Sequence, residues 1–192
     1  MGTTQPIKDK NDIQRMKEYF LRKGELRNYT MITLALNTSL RIGDLLQLRW
    51  EDVYNFEMKK YKVHIVVWEQ KTHKQNIIPL NPEAKRALEL LKGSISTLKP
   101  YHCIFKSRIG ENRPIGRSRA FNIIKNAVKE LNIEGSISCH SLRKTFGYQA
   151  WRKGVPPALI MSIYNHSSLA VTKRYLSIDQ DDKDEVFLNM NL

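Results

Sequence analysis

The sequence predicts an α+β domain, mostly helical, with one small antiparallel β-hairpin sheet. Three observations carry this reading. Apolar residues recur at helical spacing through most of the chain, β-branched and aromatic residues crowd into two short runs near its middle, and a polar turn separates those runs. At 192 residues the chain is sized for one domain, which buries roughly 70% of its unfolded surface and needs no staples.

A first helix is expected over 11–22, with Ile13, Met16, Tyr19 and Phe20 on one face and Gly24 as its stop. A second runs over about 26–38 and buries Met31, Ile32, Leu34 and Ala35. A third begins near Arg41 and presents Ile42, Leu45, Leu46 and Leu48, before Trp50 leads to Asp52. Residues 63–68 and 76–80 read as strands around the turn 70–74, in a sheet of two or three strands. Asn81 caps a helix that starts at Pro82 and reaches Leu91, and 93–102 is loop. After a polar loop holding Gly110 and Pro114, helical spacing returns over 117–131, 141–152, 156–164 and 168–175. The tail is acidic over 179–185 and then apolar at Val186, Phe187, Leu188, Met190 and Leu192. No repeat, low-complexity tract or linker interrupts the chain, so 1–192 is read as one domain.

Lys and Arg number 32 against 19 Asp and Glu, a formal charge of +13, so the expected partner is a polyanion. Nucleic acid fits better than a membrane, since no run approaches the roughly 20 apolar residues of a spanning helix. Cys103 and Cys139 form neither a CxxC pair nor a disulfide framework, which fits a reducing, cytoplasmic setting. The start resembles a myristoylation signal, but Pro6 stands where Ser or Thr is required, and that reading is rejected. His64, His73 and His102 have no partners at ligand spacing, so no metal and no cofactor is expected.

The chemistry concentrates in the last third, at His140, Arg143, His166 and Tyr175, joined by Arg41 and Lys71 upstream. Arginine offers a planar fork of donors to phosphate oxygens, imidazole can donate to or accept from the same centre, and a phenol can carry a phosphate covalently. Singly, each has a plainer reading. Arg41 would pair with Asp44, Lys71 would be solvated, the histidines would be caps, and Arg143 with Lys144 would be a basic surface pair. Tyr148 and Tyr164 are rival tyrosines but fit apolar helix faces.

The order and spacing of these residues decide the matter. Thr38-Ser39-Leu40-Arg41-Ile42-Gly43-Asp44, Lys71-Thr72 followed by Ile78-Pro79-Leu80, His140-Ser141-Leu142-Arg143, and His166 nine residues before Tyr175 resemble the catalytic domain of the tyrosine recombinase, or phage integrase, family over nearly the whole chain. The resemblance implies that Tyr175 attacks a scissile phosphate to give a 3′-phosphotyrosine and a free 5′-hydroxyl. His140 would accept the proton, Arg41 and Arg143 clamp the nonbridging oxygens, His166 donates there too, and Lys71 protonates the leaving 5′-oxygen, without metal or ATP. Lys74 competes with Lys71, but the spacing to Ile78-Pro79-Leu80 favours Lys71.

Asp44 is expected to orient Arg41. Candidate DNA contacts are His73 and Lys74 in the turn, Lys144 beside Arg143, and Arg113, Arg117 and Arg119 in a basic run. Asn165 stands where relatives carry Gly, and Asn tolerates the left-handed backbone needed there. The resemblance further implies double-stranded DNA as substrate, a tetramer on DNA from a monomer in solution, and accessory DNA-bending proteins. The apolar tail would pack on its own domain or dock on a neighbouring protomer. The family's N-terminal helical clamp precedes the catalytic domain, and without it affinity and site specificity should be weaker. A type IB-like topoisomerase and a non-cutting accessory DNA binder are the rival readings.

Overall fold

Helix α1 (Lys10–Arg22) starts where the Asp9 side chain accepts from the Asn11 backbone N–H, and it buries Met16 and Phe20. In the computed structural model, which describes residues 4–178 and 180–190, this helix packs on α2 (Leu26–Thr38). Helix α2 is the axis of the molecule. It contacts α1, α5 (Pro82–Gly93) and α7 (Cys139–Arg152), so nearly every side chain from Asn28 to Ala35 is buried. Its polar residues are satisfied internally: Thr30 donates to the Ala87 carbonyl and Thr38 to that of Leu34.

Ser39 ends α2 in the left-handed region, with φ 56°, and turns the chain into the short α3 (Ile42–Leu46). Leu48 leads to α4 (Trp50–Val53), whose Trp50 is fully buried. Two separate hairpins follow: β1 (Tyr54–Asn55) with β2 (Lys60–Tyr61), and β3 (His64–Trp68) with β4 (Gln75–Pro79). The single sheet expected from the sequence is therefore two sheets of two strands. The first is too short to show alternation. In the second, antiparallel pairing sets Val66 opposite Ile77 and Trp68 opposite Gln75. Ile65 and Ile78 face the core, whereas Val66, Trp68 and Ile77 face outward.

Helix α5 is capped by Asn81, whose side chain accepts from the Ala84 N–H, and α6 (Arg117–Glu130) buries Ile123, Ile124 and Ala127. Helices α8 (Pro157–Tyr164) and α9 (Leu169–Leu176) pack on α7 around a smaller core of Ile160, Tyr164 and Leu176. Of the rival tyrosines, Tyr164 and Tyr148 are both buried.

The tail forms α10 (Gln180–Asn189), a helix its composition did not announce. Buried Asp182 anchors it in cis, accepting from Lys8 Nζ at 3.0 Å and from the Tyr148 hydroxyl at 2.7 Å. Val186, Phe187, Leu188 and Met190 stay exposed. Leu192 of the apolar tail, Asp179, and the start of the chain through Thr3 lie outside the described residues. Among the described residues no helix is long and apolar enough to cross a membrane.

Candidate active site

The left-handed turn at Ser39 delivers Arg41 in extended conformation to the N-cap of α3, where its carbonyl accepts from the Asp44 and Leu45 N–H groups. Helix α7 opens with a capping box between Ser138 and Ser141. This start places His140 in the first turn and Arg143 one turn later on the same face. Arg143 is 2% exposed and donates to the carbonyls of Ser39 and Tyr164, the latter at 3.2 Å. Backbone from the ends of α2 and α8 therefore fixes the guanidinium before any ligand arrives.

Between the two arginines lies a residue that sequence reading missed. Glu69, 1% exposed, follows β3 directly. Its Oε2 sits 2.6 Å from Arg41 Nη1 and accepts from the Thr72 hydroxyl at 2.6 Å, while its Oε1 is 3.8 Å from Arg143 Nη1. Burial pushes this carboxyl up, but the hydrogen bonds from Thr72 and Arg41 and the charges of both arginines outweigh it, and the net shift is downward. The strand pattern held the signal: Ile65, Val67 and Glu69 share the inward register, and a carboxylate on a buried face needs a cationic partner.

Helix α8 ends at Asn165, left-handed at φ 54° as expected for the residue in a glycine position, and His166 N–H bonds back to Met161. Ser168 caps α9, which carries Tyr175 in its last turn. His166 Nδ1 lies 3.0 Å from the hydroxyl of buried Thr172. The Tyr175 ring packs 5.0 Å from His140, 4.8 Å from His166 and 4.9 Å from Tyr164, centroid to centroid.

The electrostatics suit these neighbours. His140 is exposed to the cleft, yet the protein crowded around it desolvates the ring, and this, followed by the charges of Lys144, Arg143, Arg41 and Lys71, drives it down to about 4, so it is neutral at physiological pH. His166 is lowered by burial and then by Arg143 and Arg41. Burial raises Tyr175 to about 12, with Arg143 and Arg41 opposing the rise. Among the described residues, seven buried side-chain polar atoms lack a well-aligned hydrogen bond, and five of them gather here: Ser39 Oγ, Arg41 Nη1, Asp44 Oδ2, Glu69 Oε1 and the Tyr175 hydroxyl. A cleft of about 650 Å³ opens above the site, lined by Arg41, Lys71, His140, Arg143, Gln70 and Arg117 among others.

Residues 8–181 match the profile of the phage integrase family. The chain belongs to that family. It is 36% identical over 185 residues to the probable integrase/recombinase YoeC of Bacillus subtilis (strain 168), covering 94% of this chain and 93% of YoeC. Against a tyrosine recombinase of Thermosipho africanus (strain TCF52B) it is 30% identical over 168 residues, 87% of this chain and 56% of the relative. The chain thus spans about half the length of that relative. Among solved structures, XerA recombinase superposes with a TM-score of 0.77 at 22% identity, covering 100% of this chain and 68% of the other. XerH recombinase, in a post-cleavage complex with a palindromic difH substrate, gives 0.74 at 18% identity, covering 98% and 54%. These two likenesses bear on the fold.

In this integrase-family site the remaining sequence candidates fall in different places. Lys71 is exposed on the hairpin turn and lines the cleft, while His73 and Lys74 are exposed farther along the same turn. Asp44 does not pair with Arg41 among the described ion pairs. It is buried on the inner side of α3, and its Oδ1 accepts from the Gln70 N–H at 3.1 Å, a bond that joins α3 to the hairpin turn. Lys144, read as a DNA contact, is buried. It donates to the Thr4 carbonyl and lies 5.4 Å from the Tyr175 ring centroid, because α7 turns this position inward. Arg117 packs over Gly43, where a Cβ would meet its guanidinium, and donates to Gln70 Oε1 at 2.9 Å. Arg113 and Arg119 are exposed, and Arg119 lines a second cleft with Arg27 and Arg108. Among the described residues no group of three or more His, Cys, Asp or Glu side chains could hold a metal ion.

Proposed function

We propose that this phage integrase family member is a site-specific recombinase that cuts and rejoins double-stranded DNA, with Tyr175 as nucleophile. The observation that carries the assignment is the Tyr175 hydroxyl, buried beside the Arg143 guanidinium, with its ring packed against two histidines. A scissile phosphate entering the cleft meets the guanidinium groups of Arg41 and Arg143, which hold its nonbridging oxygens and stabilise the charge of the five-coordinate phosphorus. The Tyr175 oxygen attacks phosphorus and the bond to the 5′-oxygen breaks, leaving a 3′-phosphotyrosine.

The phenol proton goes to His140. With Tyr175 near 12 and His140 near 4, transfer ahead of attack is steeply uphill, so the proton moves as the phosphorus–oxygen bond forms. The bound phosphate eases this step, because its negative charge offsets the cations that depress His140. His166 donates to a nonbridging oxygen, and Lys71 delivers a proton to the departing 5′-oxygen. Attack by a 5′-hydroxyl reverses the steps and reseals the strand. The arginines supply the positive charge that a metal supplies elsewhere, and the phosphotyrosine conserves the bond energy, so neither metal nor ATP is needed.

Strand exchange between two duplexes takes four such active sites, which makes a tetramer on DNA the working assembly and a monomer the expected free form. DNA-bending accessory proteins and residence in the cytoplasm with the chromosome complete this reading. The test is covalent trapping: supercoiled plasmid is incubated with the protein in chelator, quenched with detergent and compared with Tyr175→Phe. A protein–DNA adduct seen only with the wild-type chain is expected. An adduct that persists in the variant would remove Tyr175 from the role.

A further inference from the structure

Two carboxylates tie the turn that carries Lys71 to the helix that carries Arg41. Asp44 holds the turn through the Gln70 N–H. Glu69 reaches the other way: its carboxylate contacts both arginines and takes the Thr72 hydroxyl, next to Lys71. Its backbone closes the turn as well, with Glu69 N–H bonding to the Lys74 carbonyl at 3.0 Å and the His73 N–H to the Glu69 carbonyl at 2.9 Å. The Glu69 side chain is 0% exposed and is not part of the cleft wall, so it lies beneath the arginines rather than where phosphate enters.

We propose that Glu69 is a positioning residue that aims the phosphate clamp and, through Thr72, locks the leaving-group lysine to it. The proposal rests on the functional reading above. A guanidinium has five donors: the carboxylate engages only Nη1 of Arg41 and leaves its remaining donors for the cleft, while Arg143 is held in place by the Ser39 and Tyr164 carbonyls as well as by Glu69. Arg41, Arg143 and Lys71 repel one another in the free protein, and a buried anion among them holds the cluster in its working geometry before DNA binds. The Thr72 hydroxyl converts that arrangement of charges into a fixed distance between clamp and general acid.

The experiment uses the full chain and a duplex oligonucleotide carrying the cleavage site mapped on plasmid. One version holds an ordinary scissile phosphodiester. The other has sulfur in place of the 5′-bridging oxygen, and its thiolate leaves without a proton. Thr72→Val keeps the Glu69–arginine contacts and severs only the tie to the lysine turn. It is expected to cleave the ordinary substrate about 10-fold or more slowly and the sulfur substrate within about 3-fold of wild type, since general acid catalysis contributes roughly 10²–10⁴. Thr72→Ser, which keeps the hydroxyl, should cleave both at the wild-type rate. Glu69→Gln should be slow on both substrates by about 10² or more, because misplacing a clamp by about 1 Å costs that much. Gel shifts should show the Thr72 variants holding DNA as wild type does, which a loss of folding would not allow.

If Thr72→Val cleaves the ordinary substrate at the wild-type rate, or is equally slow on both, the proposal is overturned while the functional reading stands. Absence of any wild-type adduct overturns both. Should Glu69→Gln fail to fold, the Thr72 pair decides alone.

Discussion

Among the described residues the Tyr175 hydroxyl is buried beside Arg143 with no acceptor for its own proton, and this makes it costly to the fold. Tyr175→Phe should therefore leave thermal stability unchanged or raise it by about 1 kcal/mol, since a buried unpaired hydroxyl costs roughly 1–3 kcal/mol. Thermal melting beside the trapping assay checks both halves, and a variant that melts well below wild type would contradict the unpaired state. His140 gives a prediction in pH. Its folded pKa lies near 4, below the ordinary histidine value, so the unfolded chain binds the proton more tightly. Stability linked to this residue is complete above the ordinary value and is lost as pH falls from about 6.5 towards 4. His140→Gln should flatten the melting temperature over that window, whereas an unchanged slope would mean the histidine titrates normally.

At this scale the sequence was legible where residue type and spacing coincide, as in His140 with Arg143 and His166 with Tyr175. Glu69 escaped because its partners come from α3 and α7, which nothing in the turn itself reveals. Asp44 shows a related effect: helical spacing offers Arg41 as its neighbour, but the bond its Oδ1 makes is to a backbone N–H on another segment.

Among the elements, α7 and α8 meet at a point where side-chain volume is limiting. A Cβ at Gly147 would collide with the Tyr164 hydroxyl and lie 2.7 Å from its ring, although a helical glycine is ordinarily improved by alanine. Gly147→Ala should instead destabilise by about 1–3 kcal/mol, as overpacked sites do. It should also slow cleavage by displacing Tyr164 from Tyr175, and denaturant unfolding with single-turnover cleavage would show the two losses together. The long helices were readable from apolar spacing, with ends shifted by a residue or two where capping decided them. Very short elements such as α4 and the β1–β2 hairpin carry too few residues for any period to register. Helix α10 was hidden because its anchor, Asp182, looks like a solvated acid until Lys8 and Tyr148 are brought beside it.

Over the whole molecule the charge of +13 governs encounter with DNA. Binding should weaken as salt rises, with a log–log slope of about 0.9 per phosphate neutralised, so six contacts give a slope near 5. Arg117→Ala should lower that slope by about 1 in a salt-titrated binding assay, and an unchanged slope would place Arg117 off the duplex. Net charge is a sum, and the sequence displays it without folding. The direction each cation faces is not a sum, and Lys144, turned inward to the Thr4 carbonyl, shows the difference.

The outward face of β3 also provides a reporter. Trp68 is 68% exposed and immediately precedes Glu69, whereas Trp50 is fully buried. A water-soluble quencher therefore reaches the indole beside the lysine turn and misses the one in the core, and the third tryptophan, half-buried Trp151 of α7, is replaced by Phe so that Trp68 reports alone. Loss of quenching as duplex is added would record, by the protein's own fluorescence and without a label, the moment that turn is covered.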